Sequence, residues 1–342
     1  MGLRFAYPGA AADTIRGLEL EVADGAAHAL LGASGAGKTT LLMLLSGLLE
    51  PSDGKIMLRG RDVTRVRARD RNVSQVFQFP VLYDAMTVRG NLEFPLRQKG
   101  WDKRSARDRA QEIAGELDIV DLLDRRPDSL SLFQKQLTAI GRAVVRPDIQ
   151  MVLLDEPLTA VEPAVKWRLR RTLRRLQRQL GMTMVYVTHD QTEALTFADT
   201  VSVIADGYLL QTGSCDEVVN EPTHTTVAAF VGDPGMNLID GTVRDQRVYL
   251  GPVVLGSAAI SDGPVVVGFR AEWARTSPGG ALQGRILAQH PKTVAGGQVR
   301  GLARVELEDG AEVQVPYISP VNDGLAFELD RFALFREQQR VG

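Results

Sequence analysis

The segment Gly32-Ala33-Ser34-Gly35-Ala36-Gly37-Lys38-Thr39 decides the fold of this 342-residue chain. It matches the pattern G-x-x-x-x-G-K-[ST] of phosphate-binding loops. Glycines let successive backbone N–H groups curl around phosphate oxygens, where a Cβ would intrude. The lysine adds a positive charge for the outer phosphates, and the threonine hydroxyl can ligate Mg²⁺. The segment therefore predicts a phosphate-binding site.

The residues on either side of the loop favour the same interpretation. Ala27–Leu31 predicts a short buried strand, Thr40–Leu45 is apolar and helix-forming, and Gly47 stands where a helix would end. A strand, a loop and a helix in this order direct the positive end of the helix at the bound anion. The alternative, a chance glycine-rich turn, does not account for this order.

The composition excludes several classes of protein. A net charge of −2 gives the whole molecule no field for attracting polyanions. The single cysteine, Cys215, excludes an internal disulfide framework, and we interpret it as a small filler residue. No apolar run reaches the ~20 residues that span a bilayer, and the N-terminus lacks the apolar core of a signal peptide. If the protein serves a membrane, we expect a peripheral subunit.

Short apolar runs alternate with helical segments through the first two thirds of the chain. Met151–Leu154 is continuously apolar, as is typical of a strand buried on both faces of a parallel sheet. The alternation predicts an α/β core with a mostly parallel, covered sheet. The other predicted strands are Leu3–Ala6, Ile15–Val22, Lys55–Leu58, Val73–Phe79, Met184–Thr188 and Val201–Ile204.

Two helical regions interrupt this pattern. Arg97–Leu123 is charged and helical in period, and it predicts an inserted helical subdomain over about residues 88–148. Ala164–Leu180 predicts a strongly basic helix.

The character of the sequence changes near Asp233-Pro234-Gly235. Short runs that alternate apolar and polar residues follow, and the clearest are Ala303–Leu307 and Glu312–Val315 around the turn Asp309-Gly310. They predict a small all-β, barrel-like domain over residues 236–342. The core domain is then residues 1–235.

Asp155-Glu156 closes the apolar strand and supplies the second half of a nucleoside triphosphatase site. Asp155 can hold Mg²⁺ through water, and Glu156 can orient and deprotonate the attacking water. Two carboxylates at a strand end are ordinary surface charge in isolation. Their pairing with a phosphate-binding loop favours catalysis.

At this point the chain resembles a known family, the ATP-binding cassette ATPases. Gln78, Asp155-Glu156 and His189 stand in the order and spacing of that family's motifs. The resemblance runs nearly end to end and is strongest to ATPase subunits of carbohydrate-type importers, within them to one ATPase subunit of the bacterial glycerol importer. It implies a P-loop NTPase core, an inserted helical subdomain and a C-terminal all-β domain of OB/TOBE type. The matching stretches are Val76–Val88, Asp155–Thr159, Val165–Trp167, Tyr186–Phe197 and Gly232–Asn237.

The resemblance also implies roles for individual residues. Tyr7 would stack on adenine, unless it is only a turn aromatic. Gln78 would contact Mg²⁺ or the attacking water, and His189 would hydrogen-bond the γ-phosphate. Phe79–Met86 would receive the coupling helices of the membrane subunits. The phosphates of ATP would contact Gly32, Ala33, Ser34, Gly35, Ala36, Gly37, Lys38, Thr39 and Thr40, and Mg²⁺ would be held by Thr39, Gln78 and Asp155. The remaining histidines, His28, His224 and His290, are assigned structural roles.

One motif departs from the family. The usual signature Leu-Ser-Gly-Gly-Gln, which is presented to the partner's ATP, reads Leu130-Ser131-Leu132-Phe133-Gln134. Leu132 and Phe133 add bulk where the backbone must approach phosphate oxygens, although Ser131 can still cap a helix. The family's Ser-x-Leu-Asp loop also reads Thr159-Ala160-Val161-Glu162. We therefore expect intact groups for this chain's own nucleotide and a degenerate signature offered to its partner.

These features predict one subunit of a heterodimeric importer ATPase at the cytoplasmic face of the membrane. A second ATPase subunit with an intact signature, two transmembrane permease subunits and, indirectly, a substrate-binding protein are the expected partners. The expected cargo is a small polyol or carbohydrate, with glycerol favoured before sn-glycerol 3-phosphate or a sugar. One alternative is a nucleotide-binding regulatory subunit that does not hydrolyse ATP.

Another alternative is a cassette ATPase that acts on nucleic acid. The basic run Lys166–Arg175 suggests it. An apolar stripe on the same segment favours a solvated helix instead, and no nucleic-acid partner is expected. The stripe consists of Leu169, Leu173, Leu176 and Leu180.

Overall fold

The computed structural model describes residues 2–293, 299–318 and 324–341. The chain divides into two compact units, Met1–Cys215 and Asp216–Gly342. The helices are α1 (Lys38–Ser46), α2 (Val88–Gln98), α3 (Lys103–Glu116), α4 (Leu132–Val144), α5 (Pro163–Leu180), α6 (Gln191–Phe197), α7 (Cys215–Asn220) and α8 (Thr225–Phe230).

The strands of the first unit are β1 (Leu3–Phe5), β2 (Ile15–Leu18), β3 (Ala27–Leu31), β4 (Met57–Leu58), β5 (Arg61–Asp62), β6 (Val73–Val76), β7 (Met151–Asp155), β8 (Thr183–Thr188), β9 (Thr200–Ala205) and β10 (Tyr208–Ser214). The strands of the second unit are β11 (Asn237–Arg244), β12 (Arg247–Leu250), β13 (Val253–Ser257), β14 (Gly263–Phe269), β15 (Ala274–Thr276), β16 (Leu282–Thr293), β17 (Val299–Leu307), β18 (Glu312–Ile318), β19 (Gly324–Leu329), β20 (Ala333–Arg336) and β21 (Gln339–Arg340).

The first unit is built on a six-stranded sheet in the order β10-β9-β3-β8-β7-β6. The strands β9, β3, β8, β7 and β6 run parallel, and β10 is an antiparallel edge. This arrangement confirms the α/β core with a mostly parallel sheet. The carboxyl ends of the parallel strands meet at one edge, and the functional motifs follow those ends.

The sheet is buried on both faces because alternate residues enter different apolar cores. Leu153 on β7 and Val185 on β8 pack in the core that contains Leu42 of α1. Their neighbours Leu154 and Tyr186 pack in the core shared with α2, α3, α4 and α5. Side chains alternate across a strand, so a strand covered on both sides must be apolar throughout.

The inserted helical subdomain contains α2, α3 and α4, and one predicted helical stretch is corrected here. The sequence pattern gave helical character to Arg97–Leu123, but α2 begins earlier, at Val88, where the Thr87 hydroxyl accepts a hydrogen bond from Gly90 N at 3.2 Å. A second cap, Asp102, starts α3 after a break. Caps set these boundaries, and charge periodicity does not reveal them.

Four predicted strands are shorter in the structure, one of them, Leu3–Ala6, by a single residue. Ile15–Val22 pairs only to Leu18, Lys55–Leu58 is reduced to Met57–Leu58, and Val73–Phe79 ends at Val76. β2 ends at Leu18, opposite the first residue of β1, β4 pairs with the two-residue β5, and β6 pairs with β7 only from Val73 to Val76. How far a strand pairs with its neighbour is not encoded in the strand's own pattern.

The second unit is entirely antiparallel in its sheets. One sheet has the order β13-β12-β11-β14-β20-β21 and the other the order β15-β19-β16-β17-β18. The predicted hairpin is confirmed, since β17 and β18 pair and the Leu307 N–H donates to the Ala311 carbonyl at 2.8 Å. The unit starts at Asp216 and includes α8, whose Ala228 lies in the β-domain core. The predicted boundary between a core domain of residues 1–235 and a β domain of residues 236–342 stays a prediction.

In the ranges that the structure describes, no helix is both long enough and apolar enough to cross a bilayer.

Candidate active site

The site forms at the edge where four parallel strands end. The phosphate-binding loop follows β3, and Asp155 is the last residue of β7. His189 follows β8, and Gln78 lies two residues beyond β6. The carboxyl ends of parallel strands lie at the same edge of a sheet, so the residues that follow them come together from distant parts of the sequence.

The loop conformation depends on its glycines. Gly37 has φ 99°, a left-handed conformation, and it is the residue before α1, so no side chain caps that helix start. A Cβ on Gly32 would lie 2.2 Å from the Ile204 carbonyl oxygen. The N–H groups of an uncapped first turn and the helix dipole together favour an anion at this point.

Lys38 lies inside the loop rather than in solvent. Its side chain is buried, and its Nζ donates to the carbonyl oxygens of Gly32 at 2.7 Å and Ala33 at 2.8 Å. Burial lowers the pKa of Lys38, while the charges of Glu156 and Asp155 oppose this shift. A positive charge is thereby fixed beside the loop amides.

Thr39 and Asp155 join the loop to the end of β7. The Thr39 hydroxyl donates to Asp155 Oδ1 at 3.2 Å. Burial raises the pKa of Asp155, with the Thr39 hydrogen bond lowering it and the Glu156 charge raising it. A hydroxyl and a carboxylate are hard oxygen donors of the type that Mg²⁺ prefers, so these two side chains fit a magnesium ion bound together with a triphosphate.

Glu156 is held by contacts on both carboxylate oxygens. Its Oε1 lies 3.0 Å from His189 Nδ1, and its Oε2 accepts from the Thr159 hydroxyl at 3.0 Å. Its backbone has φ 44°, and its N–H donates to the Val187 carbonyl at 3.0 Å. Burial raises the pKa of Glu156, but the hydrogen bonds from His189 and Thr159 outweigh it and the pKa is lowered. Glu156 is therefore an anion at neutral pH, suited to accept a proton or orient water.

Tyr7 is tied to the start of α1. Its hydroxyl lies 3.2 Å from Thr40 Oγ1, and its ring meets Phe5 edge-on with centroids 4.9 Å apart. The side chain is about two-fifths exposed, which leaves ring surface for a planar base. Gln78 is half-buried beyond β6, between the exposed Phe77 and Phe79.

The segment that is expected to be a degenerate signature forms the start of α4. Ser131 caps that helix, its hydroxyl accepting from Gln134 N while the Gln134 side chain accepts from Ser131 N at 2.9 Å. Leu132 is exposed, and Phe133 packs against the apolar core of the helical subdomain. Hydrogen bonds join Thr39 to Asp155 and the adjacent Glu156 to His189, so these four side chains form one connected site. The capping bonds of Ser131 and Gln134 stay at the start of α4 and do not join that site.

Thr159 makes a contact in the site that the sequence interpretation missed. The sequence analysis places it at the end of a matching stretch and at the start of an altered loop, whereas its hydroxyl contacts the Glu156 carboxylate. The Thr159 N–H also donates to the Glu156 carbonyl at 3.1 Å. A hydroxyl three residues after a candidate base is the available signal, because a turn returns it to the carboxylate.

This chain is similar to several known proteins. The model of the family described as ABC transporter matches residues 15–159. The diacetylchitobiose uptake system ATP-binding protein MsiK of Streptomyces coelicolor is 39% identical over 274 residues, which cover 78% of this chain and 72% of MsiK. The sn-glycerol-3-phosphate import ATP-binding protein UgpC of Jannaschia sp. is 39% identical over 284 residues, 82% of this chain and 80% of UgpC. The solved structure of cbiO1 from Clostridium perfringens, part of the ABC transporter complex cbiONQ, superimposes with a TM-score of 0.59 at 26% identity, over 63% of this chain and 87% of cbiO1.

Proposed function

The chain belongs to the ABC transporter family of ATPases, and from that membership we propose that it is the ATP-hydrolysing subunit of an importer for small polyols or carbohydrates. The observation that carries the proposal is the hydrogen-bonded set at one sheet edge. Thr39 contacts Asp155, and the adjacent Glu156 contacts His189. A phosphate-binding loop, a metal-binding pair and a positioned base are thereby contiguous.

Each group has a defined role in the proposed reaction. Tyr7 stacks on adenine, while the loop amides and Lys38 hold the phosphates. Thr39, Asp155 and Gln78 would hold Mg²⁺, which would supply positive charge to the phosphate oxygens. Glu156 orients the attacking water and accepts its proton, and His189 hydrogen-bonds the γ-phosphate. Phosphoryl transfer requires mainly placement and charge neutralisation, and these side chains supply both.

The surface that follows Gln78 supports coupling to membrane subunits. Phe79, Val81 and Tyr83 are exposed large apolar residues within a short segment. Such a group is typical of a surface that another protein covers. We assign Phe79–Met86 to the two permease subunits, which places the chain peripherally at the cytoplasmic face of the membrane, with a substrate-binding protein acting indirectly.

The cargo is proposed from relatives and from the resemblance described above. MsiK and UgpC are named for uptake of a disaccharide and of sn-glycerol 3-phosphate. We favour glycerol, then sn-glycerol 3-phosphate or a sugar. Uptake of each labelled compound by cells with and without the gene tests this order, and loss of sugar uptake alone would overturn the preference for glycerol.

We also propose that this chain works with a second, different ATPase subunit. The capping box of α4 uses the N–H groups of Ser131 and Gln134, so only those of Leu132 and Phe133 are left to face a partner's nucleotide. Leu132 adds an exposed isobutyl group at the same turn. This turn is a poor donor to a partner's phosphates, so a heterodimer would contain one competent ATP site and one degenerate site.

The experiment compares the purified chain with the chain plus its partner. We expect weak ATPase activity alone and full activity in the mixture, whereas full cooperative turnover by the lone chain would contradict the heterodimer. Lys38→Ala should abolish tight ATP binding. Glu156→Gln should retain ATP binding and lower turnover of the assembled complex about 100-fold or more, with Glu112→Gln on α3 as the control. Unchanged turnover in Glu156→Gln would support the alternative of a non-hydrolysing regulatory subunit.

A further inference from the structure

The outer side of α5 carries a concentrated positive charge. Every charged residue of this helix is basic, although the whole chain has a net charge of −2. Residues three or four positions apart share one side of a helix, and here that side lines a groove of about 590 Å³ with Gln179 and Thr196. We name it the arginine face, and it consists of Trp167, Arg170, Arg171, Arg174, Arg175 and Arg178.

Much of this charge is not neutralised within the chain. Arg174 forms an ion pair with Asp199, and Arg175 forms one with Asp118 at 3.3 Å. Over the described ranges of the chain, Arg170, Arg171 and Arg178 make no ion pair. The face therefore keeps a surplus of guanidinium groups, each able to form two parallel hydrogen bonds to a carboxylate.

Trp167 gives the charged face an apolar anchor. Its side chain is 56% exposed, while Leu169, Leu173 and Leu176 of the apolar stripe are fully buried on the other side of the helix. Packing in the core therefore does not explain why a tryptophan stands at position 167. Tryptophan and arginine are the residue types that contribute most to protein–protein binding energy.

The spacing of the unpaired charges defines the kind of partner. Arg170 and Arg178 are eight residues apart, which is about 12 Å along the helix axis, and Arg171 lies seven residues before Arg178. Carboxylates repeated every four residues on another helix include pairs with the same spacing. We propose that the arginine face docks an acidic amphipathic helix of a partner protein, with its carboxylates on the arginines and one apolar side chain against Trp167.

Two other polyanions fit the face less well. Single-stranded nucleic acid binds on several aromatic platforms, and Trp167 is the one aromatic residue among those that line this groove. A membrane-surface helix needs a wide apolar side turned outward, whereas the leucines of α5 are turned inward. The combination of many arginines with one central indole favours a protein segment.

The test uses the full chain and a fluorescein-labelled, designed helical peptide with glutamates four residues apart and a central leucine. Fluorescence anisotropy should show binding that weakens steeply with added salt. Arg171→Glu combined with Arg178→Glu should weaken binding at least about tenfold, and Trp167→Ala by a similar factor. Arg107→Glu on the exposed side of α3 is the matched charge control, with an expected change below about twofold.

Two further measurements keep the test specific. ATP binding by each variant verifies the fold, since no residue of the arginine face belongs to the nucleotide site. A scrambled peptide of the same composition, an oligothymidylate and phosphatidylglycerol vesicles are measured in parallel. The proposal fails if the designed peptide does not bind, if Arg107→Glu weakens it equally, or if the scrambled peptide, the oligonucleotide or the vesicles bind as tightly through the same arginines.

Discussion

At the residue scale, the chemistry of the site depends on how Glu156 is held. Its left-handed backbone is a conformation that costs a non-glycine residue about 1 kcal/mol or more. The bond from its N–H to the Val187 carbonyl on β8 fixes that conformation. His189 and Thr159 then occupy one carboxylate oxygen each. The residue beside Asp155 is thus turned out of the strand and aimed by its neighbours.

Thr159→Val should move the acid limb of the pH–rate profile. The Thr159 hydroxyl donates to the Glu156 carboxylate and lowers its pKa, so its removal raises that pKa. A base with a higher pKa is protonated at higher pH, and kcat should begin to fall at a higher pH than in the wild-type chain. The measurement is kcat against pH for the assembled complex. Thr192→Val on the surface of α6 is the control, and superimposable profiles for Thr159→Val and the wild type would contradict the role.

The burial of His28 predicts that the stability of the folded chain also depends on pH. Its buried ring lies 2.7 Å from the Thr200 hydroxyl and 2.9 Å from the Ser202 hydroxyl. Burial lowers the pKa of His28 from 6.5 to about 4. The His28 side chain then binds a proton more readily in the unfolded chain than in the folded one. Its neutral, buried form contributes fully to the free energy of unfolding above pH 6.5, and this contribution is lost as pH falls towards 4. The total loss is about 3 kcal/mol.

The check is urea unfolding of the wild type and of His28→Gln at neutral pH and near pH 5. We expect the wild type to lose about 2 kcal/mol more of its unfolding free energy than the variant over this interval. The variant is less stable than the wild type at neutral pH. The comparison is therefore between the changes in unfolding free energy with pH and not between the unfolding free energies themselves. An equal loss in the wild type and the variant would show that folding does not lower the pKa of His28.

At the element scale, α1 connects the site to the core because both of its ends are fixed. Its first turn follows the phosphate-binding loop, and its last turn is held by Arg71. That buried guanidinium donates to the carbonyl oxygens of Leu44 at 2.6 Å and Leu45 at 3.0 Å, with further bonds to Thr64 and Val66. A positive charge at a helix C-terminus also complements the helix dipole.

Arg71→Met should destabilise the first unit by about 2–4 kcal/mol, because several buried carbonyls lose their partner at once. Chemical denaturation followed by circular dichroism measures the loss. Arg69→Met, on an exposed side chain two residues away, should change stability by less than about 0.5 kcal/mol. A loss no larger than that of Arg69→Met would mean that water replaces the guanidinium without penalty.

The elements also show what the sequence can and cannot predict. The bounds of β3 were predicted without error because a buried strand between a turn and a phosphate-binding loop has clear limits. Gly47 ends α1 as predicted. The end of β6 and the caps of α2 and α3 were missed, since they depend on a partner strand and on single side chains. In the site, the strand-end carboxylates were visible in the sequence, whereas the Thr159 contact requires the turn geometry.

At the scale of the whole molecule, the proposed degenerate signature would make ATPase activity depend on assembly with a partner subunit. Leu132→Gly shortens the exposed side chain at the signature turn, and Phe133→Gly restores the second glycine of the family pattern. We expect the double variant, as the lone chain, to gain at least about tenfold in ATPase activity over the wild-type chain alone. ATPase assays across protein concentration measure the gain, which should grow as dimers form.

Controls are needed because Phe133 packs in the core. Leu132→Gly alone, whose side chain is exposed, should give part of the gain with little change in melting temperature. Leu132→Ala keeps a side chain and should give less. If neither glycine variant activates the lone chain although both remain folded, the substitutions at this turn do not limit hydrolysis.

The two-sided burial of the central sheet has a mechanical consequence. Leu153 and Leu154 are consecutive residues of one strand, yet they lie in different interiors, one against α1 and one against the helical subdomain. The strand β7 is therefore shared by both interiors, and Asp155 is its last residue. Any displacement of β7 is transmitted to both interiors at once, with no hinge or linker in between.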